Sequence, residues 1–267
     1  MALIVILGSL LVIAVWEFSW PRRRREYPAL RRRMGNIGFW IVNLFIGLFF
    51  SPPDAQVRMT LDAVWGISIP YWPIADDGLS FVAGFLLLDL LYYAVHRCEH
   101  AVPFLWRFHA LHHSDPDVDL TTSVRHHPVE FLLTSAVYWL AALFLDIPVE
   151  VVLGHALAVF GTAAVQHGNI RLPERLERWL RPVLVTVDMH RVHHSIEFSR
   201  ENWNYGAVLS IWDRLFRTYT RLTRAQHDRI VFGVRELEPR RDCLKPSAMM
   251  LTPWRLGRAG TREAEAA

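Results

Sequence analysis

Ten of the thirteen histidines fall at spacings that bring imidazoles together. His96 and His100 form H-x-x-x-H; His109, His112 and His113 form H-x-x-H-H; His190, His193 and His194 repeat H-x-x-H-H; His127 and His167 stand between these clusters. On a helix, residues three and four apart share a face, so His96 and His100 can chelate one metal and each H-x-x-H-H presents its rings together. Neutral imidazole is the commonest metal-ligating side chain. Two triads, one pair and two single histidines supply enough nitrogen for two metals, with coordination positions left open for oxygen or substrate. Chance or core packing explains one isolated H-x-x-x-H but not the whole ordered set.

Imidazole suits zinc, copper, iron and nickel alike, so the ligands alone do not choose the metal. Zinc hydrolases commonly pair three ligands with a glutamate base in H-E-x-x-H. That motif is missing here, since Glu99 precedes His100 in the wrong order. Asp89, Tyr93, His96 and His100 lie at i, i+4, i+7 and i+11 on one helical stripe. That stripe predicts Asp89 as the carboxylate that accepts the second ring N–H of a ligating histidine. His126, His155 and His227 read as non-ligands, although an ionisable His155 inside an apolar tract is the kind of residue that usually has a function. Cys98 and Cys243 fit no C-x-x-C spacing, and Cys98 reads as a small buried thiol.

The elements that must position these residues are mostly apolar. The 267-residue chain is 52% hydrophobic with eleven tryptophans, and its formal charge of +3 conceals seven arginines between Arg22 and Arg33, with Lys245 the only lysine. Residues 2 to 20 are apolar and precede the arginines, the reverse of a signal peptide, and read as a membrane anchor. Further apolar stretches run from Gly35 to Phe50, from Leu79 to about Val95, and from Val129 to Val165. The last is interrupted by Asp146, Pro148 and Glu150 and suits a hairpin of two spans. With the arginines taken as a cytoplasmic flank, the amino terminus and the turn around residues 53 to 78 lie outside. Every candidate ligand then falls on the cytoplasmic face.

The expected fold is all-α: a multi-pass transmembrane helical bundle with a cytoplasmic helical cap holding a histidine-rich dimetal site. Three regions are expected. Residues 1–78 form an N-terminal membrane anchor region of two spans and a polar turn, residues 79–235 a catalytic domain, and residues 236–267 a tail that loses periodicity and is partly disordered.

Seven segments in order carry a resemblance. They are Asp89-Leu-Leu-Tyr-Tyr-Ala-Val-His96-Arg-Cys-Glu-His100, Leu105-Trp-Arg-Phe-His109-Ala-Leu-His-His113-Ser and Arg125-His-His127-Pro-Val-Glu130. The rest are Gln166-His167-Gly-Asn169, His190-Arg-Val-His-His194-Ser, Asn204-Tyr-Gly206 and Trp212-Asp-Arg-Leu-Phe216-Arg-Thr-Tyr219. The chain resembles the fatty acid hydroxylase and sterol desaturase superfamily of integral-membrane non-haem di-iron enzymes, over about residues 79 to 220. The resemblance implies two Fe ions held by His96, His100, His109, His112, His113, His127, His167, His190, His193 and His194, with zinc as a substitute in purified protein. In the third segment the family's histidine is the one before proline, here His127. Arg107, Arg125, Glu130, Asn169 and Asn204 join Asp89 and Tyr93 as partners around the ligands. Where the family often has Phe-Gly-Thr-Tyr, this chain has Phe216-Arg217-Thr218-Tyr219, which alters the residue at that turn.

The implied activity is O2-dependent hydroxylation or desaturation of an unactivated C–H bond of a lipid, of sterol or fatty acyl type. The sequence contains no C-x-x-C-H haem motif, nucleotide-binding glycine fingerprint or four-cysteine cluster, so electrons must come from a separate donor of ferredoxin, rubredoxin or cytochrome type. No nucleic-acid partner is expected. A metal transport or storage protein would string histidines across the bilayer, and a b-type cytochrome using His155 and His167 would leave eight clustered histidines unexplained. A membrane zinc-dependent hydrolase stays open as the alternative enzyme.

Overall fold

A computed structural model describes residues 2–50, 78–145, 147–197 and 203–256. Among these the regular elements are helical, and the only strand-like pairings are two isolated bridges, Leu184 with Leu209 and Ser195 with Phe232. The long helices are α1 (Ala2–Ser19), α2 (Ala29–Phe50), α3 (Gly78–Ala101), α4 (Pro103–His113), α5 (Pro128–Phe144) and α6 (Val149–His167). Short ones follow: α7 (Glu174–Leu180), α8 (Val187–His193), α9 (Ile211–Leu215), α10 (Arg224–Asp228) and α11 (Pro246–Met250). α3 packs on α4 and α6, α1 on α6, α2 on α5, and α8 closes against α6.

Local chemistry sets several of these boundaries. Proline occupies the first turn of α4 and of α5, where its missing N–H costs nothing. α5 also has a capping box: Val129 N–H donates to the His127 ring and the Glu130 side chain accepts from His127 N–H. α3 and α6 approach closely because Gly84 faces Val151 and Gly154 faces Phe81, each at a distance that leaves a Cβ only 3.1 Å from its neighbour. Around this contact Leu88, Ala142, Ile147, Val151 and Val152 form an apolar core.

The outward surfaces of the long helices are apolar as well. Leu11, Val15 and Phe18 on α1, Trp40, Phe45 and Leu48 on α2, Phe81 and Val82 on α3, Leu133 and Leu140 on α5, and Leu153 and Leu157 on α6 are all exposed. A soluble monomer rarely exposes so much contiguous apolar surface. Among the described residues two helices, Phe81–Ala101 and Val149–His167, are long and apolar enough to cross a bilayer, and only 28% of either window is buried. The apolar helix Pro128–Phe144 is slightly shorter, at 17 residues. The turn expected around residues 53 to 78 and the break at Asp146 lie outside the described residues, apart from Gly78 at the start of α3.

Three expectations differ from what is observed. The arginine cluster is largely spent inside the protein. Arg22 pairs with Asp188, Arg25 and Arg33 with Glu17, and the fully buried Arg32 with Asp115 and Asp119. The sequence Asp115-Pro-Asp117-Val-Asp119, immediately after the first H-x-x-H-H, supplies the matching carboxylates, and Asp117 accepts from the N–H groups of Glu26 and Tyr27. Residues 236–256, expected as part of a tail, are packed: Leu237, Cys243 and Leu256 join Trp106 and Ala110 in one core, and Met249 joins Phe39 and Leu111 in another. These apolar residues are spaced for a surface clasp rather than a helical stripe, which is why periodicity does not reveal them. Cys98 is exposed on α3, away from the histidines.

Candidate dimetal centre

The two H-x-x-H-H motifs divide their histidines. Neighbouring residues on a helix point about 100° apart, so His109 and His113 face one way and His112 another, and His193 likewise faces away from His190 and His194. His96, His100, His109, His113 and His193 form one group of converging rings, and His112, His167, His190 and His194 form a second. Each motif therefore contributes to both groups, which lie back to back with His113 stacked on His194 at 4.4 Å between ring centroids. The pair His96 and His100 stays together in the first group, as the spacing requires.

Hydrogen bonds to Nδ1 orient the rings. His96 donates from Nδ1 to the Tyr205 carbonyl at 2.9 Å, His193 to the Trp203 carbonyl at 3.0 Å and His167 to the Ala163 carbonyl at 2.7 Å. His109 donates from Nδ1 to Glu130 at 2.9 Å, with Glu99 3.4 Å away. Each such bond places the proton on Nδ1 and leaves the Nε2 lone pair free to bind a metal. Burial, reinforced by the neighbouring imidazoles, holds His112, His113, His190, His193 and His194 well below the usual histidine value of 6.5, so their rings are neutral, the form a metal needs.

The nitrogen geometry fits metal ions. In the second group the His167 Nε2 lies 2.9 Å from His190 Nε2 and 3.1 Å from the Nε2 atoms of His112 and His194. In the first, His109 and His113 Nε2 are 3.1 Å apart. Nitrogens bound at about 2.1 Å to one centre and separated by right to tetrahedral angles stand about 3.0 to 3.4 Å apart. A proton can bridge only one pair of these atoms, whereas a cation satisfies all of them. The buried Nε2 of His193 has no hydrogen-bond partner, which also suits a ligand atom.

His127 is not brought to either group. Its Nδ1 accepts from Val129 N–H at 3.1 Å and its Nε2 donates to the Met250 carbonyl at 3.3 Å, so no ring nitrogen remains for a metal. The side chain nearer the centre is His126, stacked on His112 at 4.5 Å and donating to Glu130 at 2.8 Å. Burial works against charge on His126, but the Glu130 carboxylate outweighs it and raises the imidazole above its usual value.

The expected partner residues serve in different ways. Glu130 contacts a cluster histidine directly. Asp89 contacts none of them: it receives N–H groups from Val208, Leu209 and the Trp212 indole, and pairs with His155 at 3.2 Å, whose other nitrogen meets the Tyr138 hydroxyl. Asp89 thus anchors the segment whose Tyr205 carbonyl orients His96, and His155 is committed to that anchor. Tyr93 stacks on Phe216 and bonds Thr218 at 2.8 Å. Arg125 is buried and donates to the Leu111 carbonyl, the Asn36 amide, Ser114 Oγ and the Cys243 carbonyl, fastening the end of α4. Asn169 ties the end of α6 to Glu17 and Arg23. Asn204, at φ 55°, bridges Met189 of α8 and Thr220. Arg107 is exposed and contributes nothing to the centre.

Sequence reasoning missed Glu99, Asp213 and the orienting carbonyls. Glu99 shares a second small cluster with His109 and Glu130 and accepts from Thr134 at 2.7 Å. Asp213 accepts from Tyr205 and Gly206 N–H, and a Cβ on Gly206 would sit 2.7 Å from the Leu209 carbonyl and 2.9 Å from Asp213, so only glycine fits that turn. The Asn-Tyr-Gly motif signals this turn, but carbonyl acceptors carry no sequence signature.

A helical protein with nine converging imidazoles, eight of them buried and His100 half-buried, in two groups that could each hold a metal defines a narrow class. The chain belongs to the fatty acid hydroxylase family, whose model matches residues 81–218. It is similar to an ornithine lipid hydroxylase, OlsE, of Rhizobium tropici (31% identical over 224 residues, 81% of this chain and 66% of the relative). It is also similar to the alkylglycerol monooxygenase of Homo sapiens (31% identical, 60% of this chain and 34% of the relative) and to the fatty acid hydroxylase vlmA of a Lecanicillium species (30% identical, 57% and 44%). The chain thus spans just under two thirds of the first relative and less than half of the other two. No solved structure matches it.

Proposed function

We propose that the protein is a membrane-bound non-haem di-iron oxidoreductase that uses O2 and external electrons to hydroxylate or desaturate an unactivated C–H bond of a lipid. The observation that carries this reading is the convergence of neutral, buried Nε2 atoms into two adjacent groups at metal-ligand spacing. His96, His100, His109, His113 and His193 would hold one iron, and His112, His167, His190 and His194 the other. Bound iron supplies oxygen activation and the oxidising power for a C–H bond.

The chain's own residues do the positioning. The carbonyls of Ala163, Trp203 and Tyr205 and the Glu130 carboxylate fix ring orientation. Beside His109 opens an apolar slot of about 160 Å³ between α3, α4 and α5, walled by Val95, Leu105, Phe108, Leu133 and Val137, with Glu99, Glu130 and Thr134 at its polar end. Leu133 and Val137 are also exposed on the outer, apolar surface of the bundle. The slot therefore suits entry of a hydrocarbon chain from lipid, excludes water from the reacting carbon and directs that carbon toward the His109 group. Support for a lipid substrate also comes from the relatives, whose names specify ornithine lipid, alkylglycerol and fatty acid.

The membrane reading places α3 and α6 across the bilayer in a multi-pass bundle, with the histidine groups on the cytoplasmic, arginine-bearing face. It is supported by the exposed apolar belt and by the packing of Arg32 and Arg33 against the loop that follows His113. Electrons would arrive from a separate donor. The direct test supplies membranes containing the protein with ornithine lipids, alkylglycerols, fatty acyl lipids and sterols, a reductant and 18O2. A lipid product that carries 18O or a new double bond, made only with O2 and reductant, is expected. Conversion that proceeds equally without oxygen would support the zinc-hydrolase alternative and overturn this one.

A further inference from the structure

On the far side of α8 from the metal groups lies a polar cavity of about 300 Å³, within the size range of small-molecule sites. Arg22, Arg171, Arg181, Arg221 and Arg224 line it, opposed by only two carboxylates, Asp188 and Glu174. Both are already engaged, Asp188 by Arg22 and Glu174 by Arg221; Arg171 and Arg181 pair outside the lining with Asp228 and Glu177, and Arg224 has no ion-pair partner among the described residues. Two buried guanidinium donors that line it, Arg22 Nε and Arg181 Nε, have no hydrogen-bond partner, and neither has the buried His227 Nδ1, which donates or accepts according to tautomer. The side chains of Arg22, Arg181 and His227 are 5%, 8% and 4% exposed. Leaving a buried donor unpaired is unfavourable, so the two guanidinium donors favour a ligand rich in acceptor oxygens. Phosphate meets several guanidinium groups at once with charge-assisted bonds.

The cavity's position narrows the source. Arg22 follows α1 by three residues and Arg171 follows α6 by four, so both stand just beyond the ends of apolar helices. α7 borders the cavity and exposes Leu176 and Trp179, with Val183 in the turn after it, beside Arg175 and Arg178, a composition suited to the bilayer–water boundary. We propose that this cavity is a phosphate-binding site, filled by the headgroup of a membrane phospholipid or by a free phosphate. The headgroup source rests on the membrane reading above, whereas phosphate binding itself does not.

The test uses the full chain purified in detergent and titrated calorimetrically with inorganic phosphate, and the same chain in nanodiscs of phosphatidylcholine with or without phosphatidic acid, scored by retained lipid. Arg171→Gln and Arg224→Gln alter exposed residues and leave the fold intact, and Arg181→Gln probes the buried wall. Arg235→Gln, an exposed arginine outside the cavity, controls for net charge. Saturable binding that weakens about tenfold or more in the cavity variants and not in Arg235→Gln is expected. Binding of inorganic phosphate identifies a free-phosphate site; selective retention of phosphatidic acid alone identifies a headgroup site. Absence of saturable binding by both probes, or equal loss in the control, overturns the proposal. Metal content measured on the same samples reports on the dimetal centre separately, so failure of one reading is not mistaken for failure of the other.

Discussion

Replacement of Glu130 by glutamine tests whether the orienting hydrogen bonds act on individual metal positions. The carboxylate accepts from His109 Nδ1 at 2.9 Å, from His126 Nδ1 at 2.8 Å and from His127 N–H at 3.2 Å. Glutamine preserves shape and one acceptor oxygen, but its NH2 group must face a donor. If His109 moves its proton to Nε2 to relieve that clash, it loses the lone pair aimed at the metal. Loss of such an outer partner typically lowers metal affinity about 10- to 100-fold, which is about 1.4–2.7 kcal/mol. That agrees with the roughly 1.5–3 kcal/mol assigned to a hydrogen bond with a charged group. Because His109 belongs to one group only, the loss should be selective. Dialysis of wild type and Glu130→Gln against a graded series of chelators, followed by metal analysis per chain and thermal unfolding, should show one metal released 10- to 100-fold more easily and the other unchanged. A variant that keeps both metals at wild-type affinity, or sheds both in parallel, would show that Glu130 does not orient His109 for one metal position.

Three further outcomes are expected. His127→Ala should retain full metal content while costing about 0.5–2 kcal/mol through the lost cap of α5, measured by metal analysis beside denaturant unfolding; loss of one metal would restore His127 as a ligand. Arg217 holds φ 58° at an exposed position, so Arg217→Gly should stabilise the protein by up to about 1 kcal/mol, and a clear destabilisation in thermal melts would show that its side chain matters. Burial opposes ionisation of Asp119, but Arg32 and then Arg33 prevail and hold its carboxyl near 2, below the ordinary 3.8. Its stabilising contribution is therefore fully present above about pH 4 and lost as pH falls through about 2. Asp119→Asn should flatten acid unfolding over that window, and an unchanged acid profile would contradict the assignment.

Spacing made the histidine pairs and the all-α architecture legible, because i, i+3 and i+4 periodicity is a local property of one helix. The 100° step between adjacent helical residues already turns His112 and His193 away from their motif partners, but which group each joins depends on where the two motifs lie in space. His126 and His127 are adjacent and chemically identical, and only the cap at Pro128 and the Met250 carbonyl, 123 residues away, separate their roles. Asp89 sits on the stripe of His96 and His100, yet the stripe curves past the ligands, and Val208, Leu209 and Trp212 claim the carboxylate. The arginine run reads as a membrane flank from composition, and its internal partners Glu17, Asp115 and Asp119 emerge only once α1, α2 and the loop after α4 are packed together.

Whether the two histidine groups hold a pair of irons is read by Mössbauer spectroscopy with metal analysis on protein made with iron-57 and purified without oxygen. About two irons per chain with magnetic coupling between them are expected. Folded protein that holds no stoichiometric metal, or irons that show no coupling, would contradict the di-iron assignment.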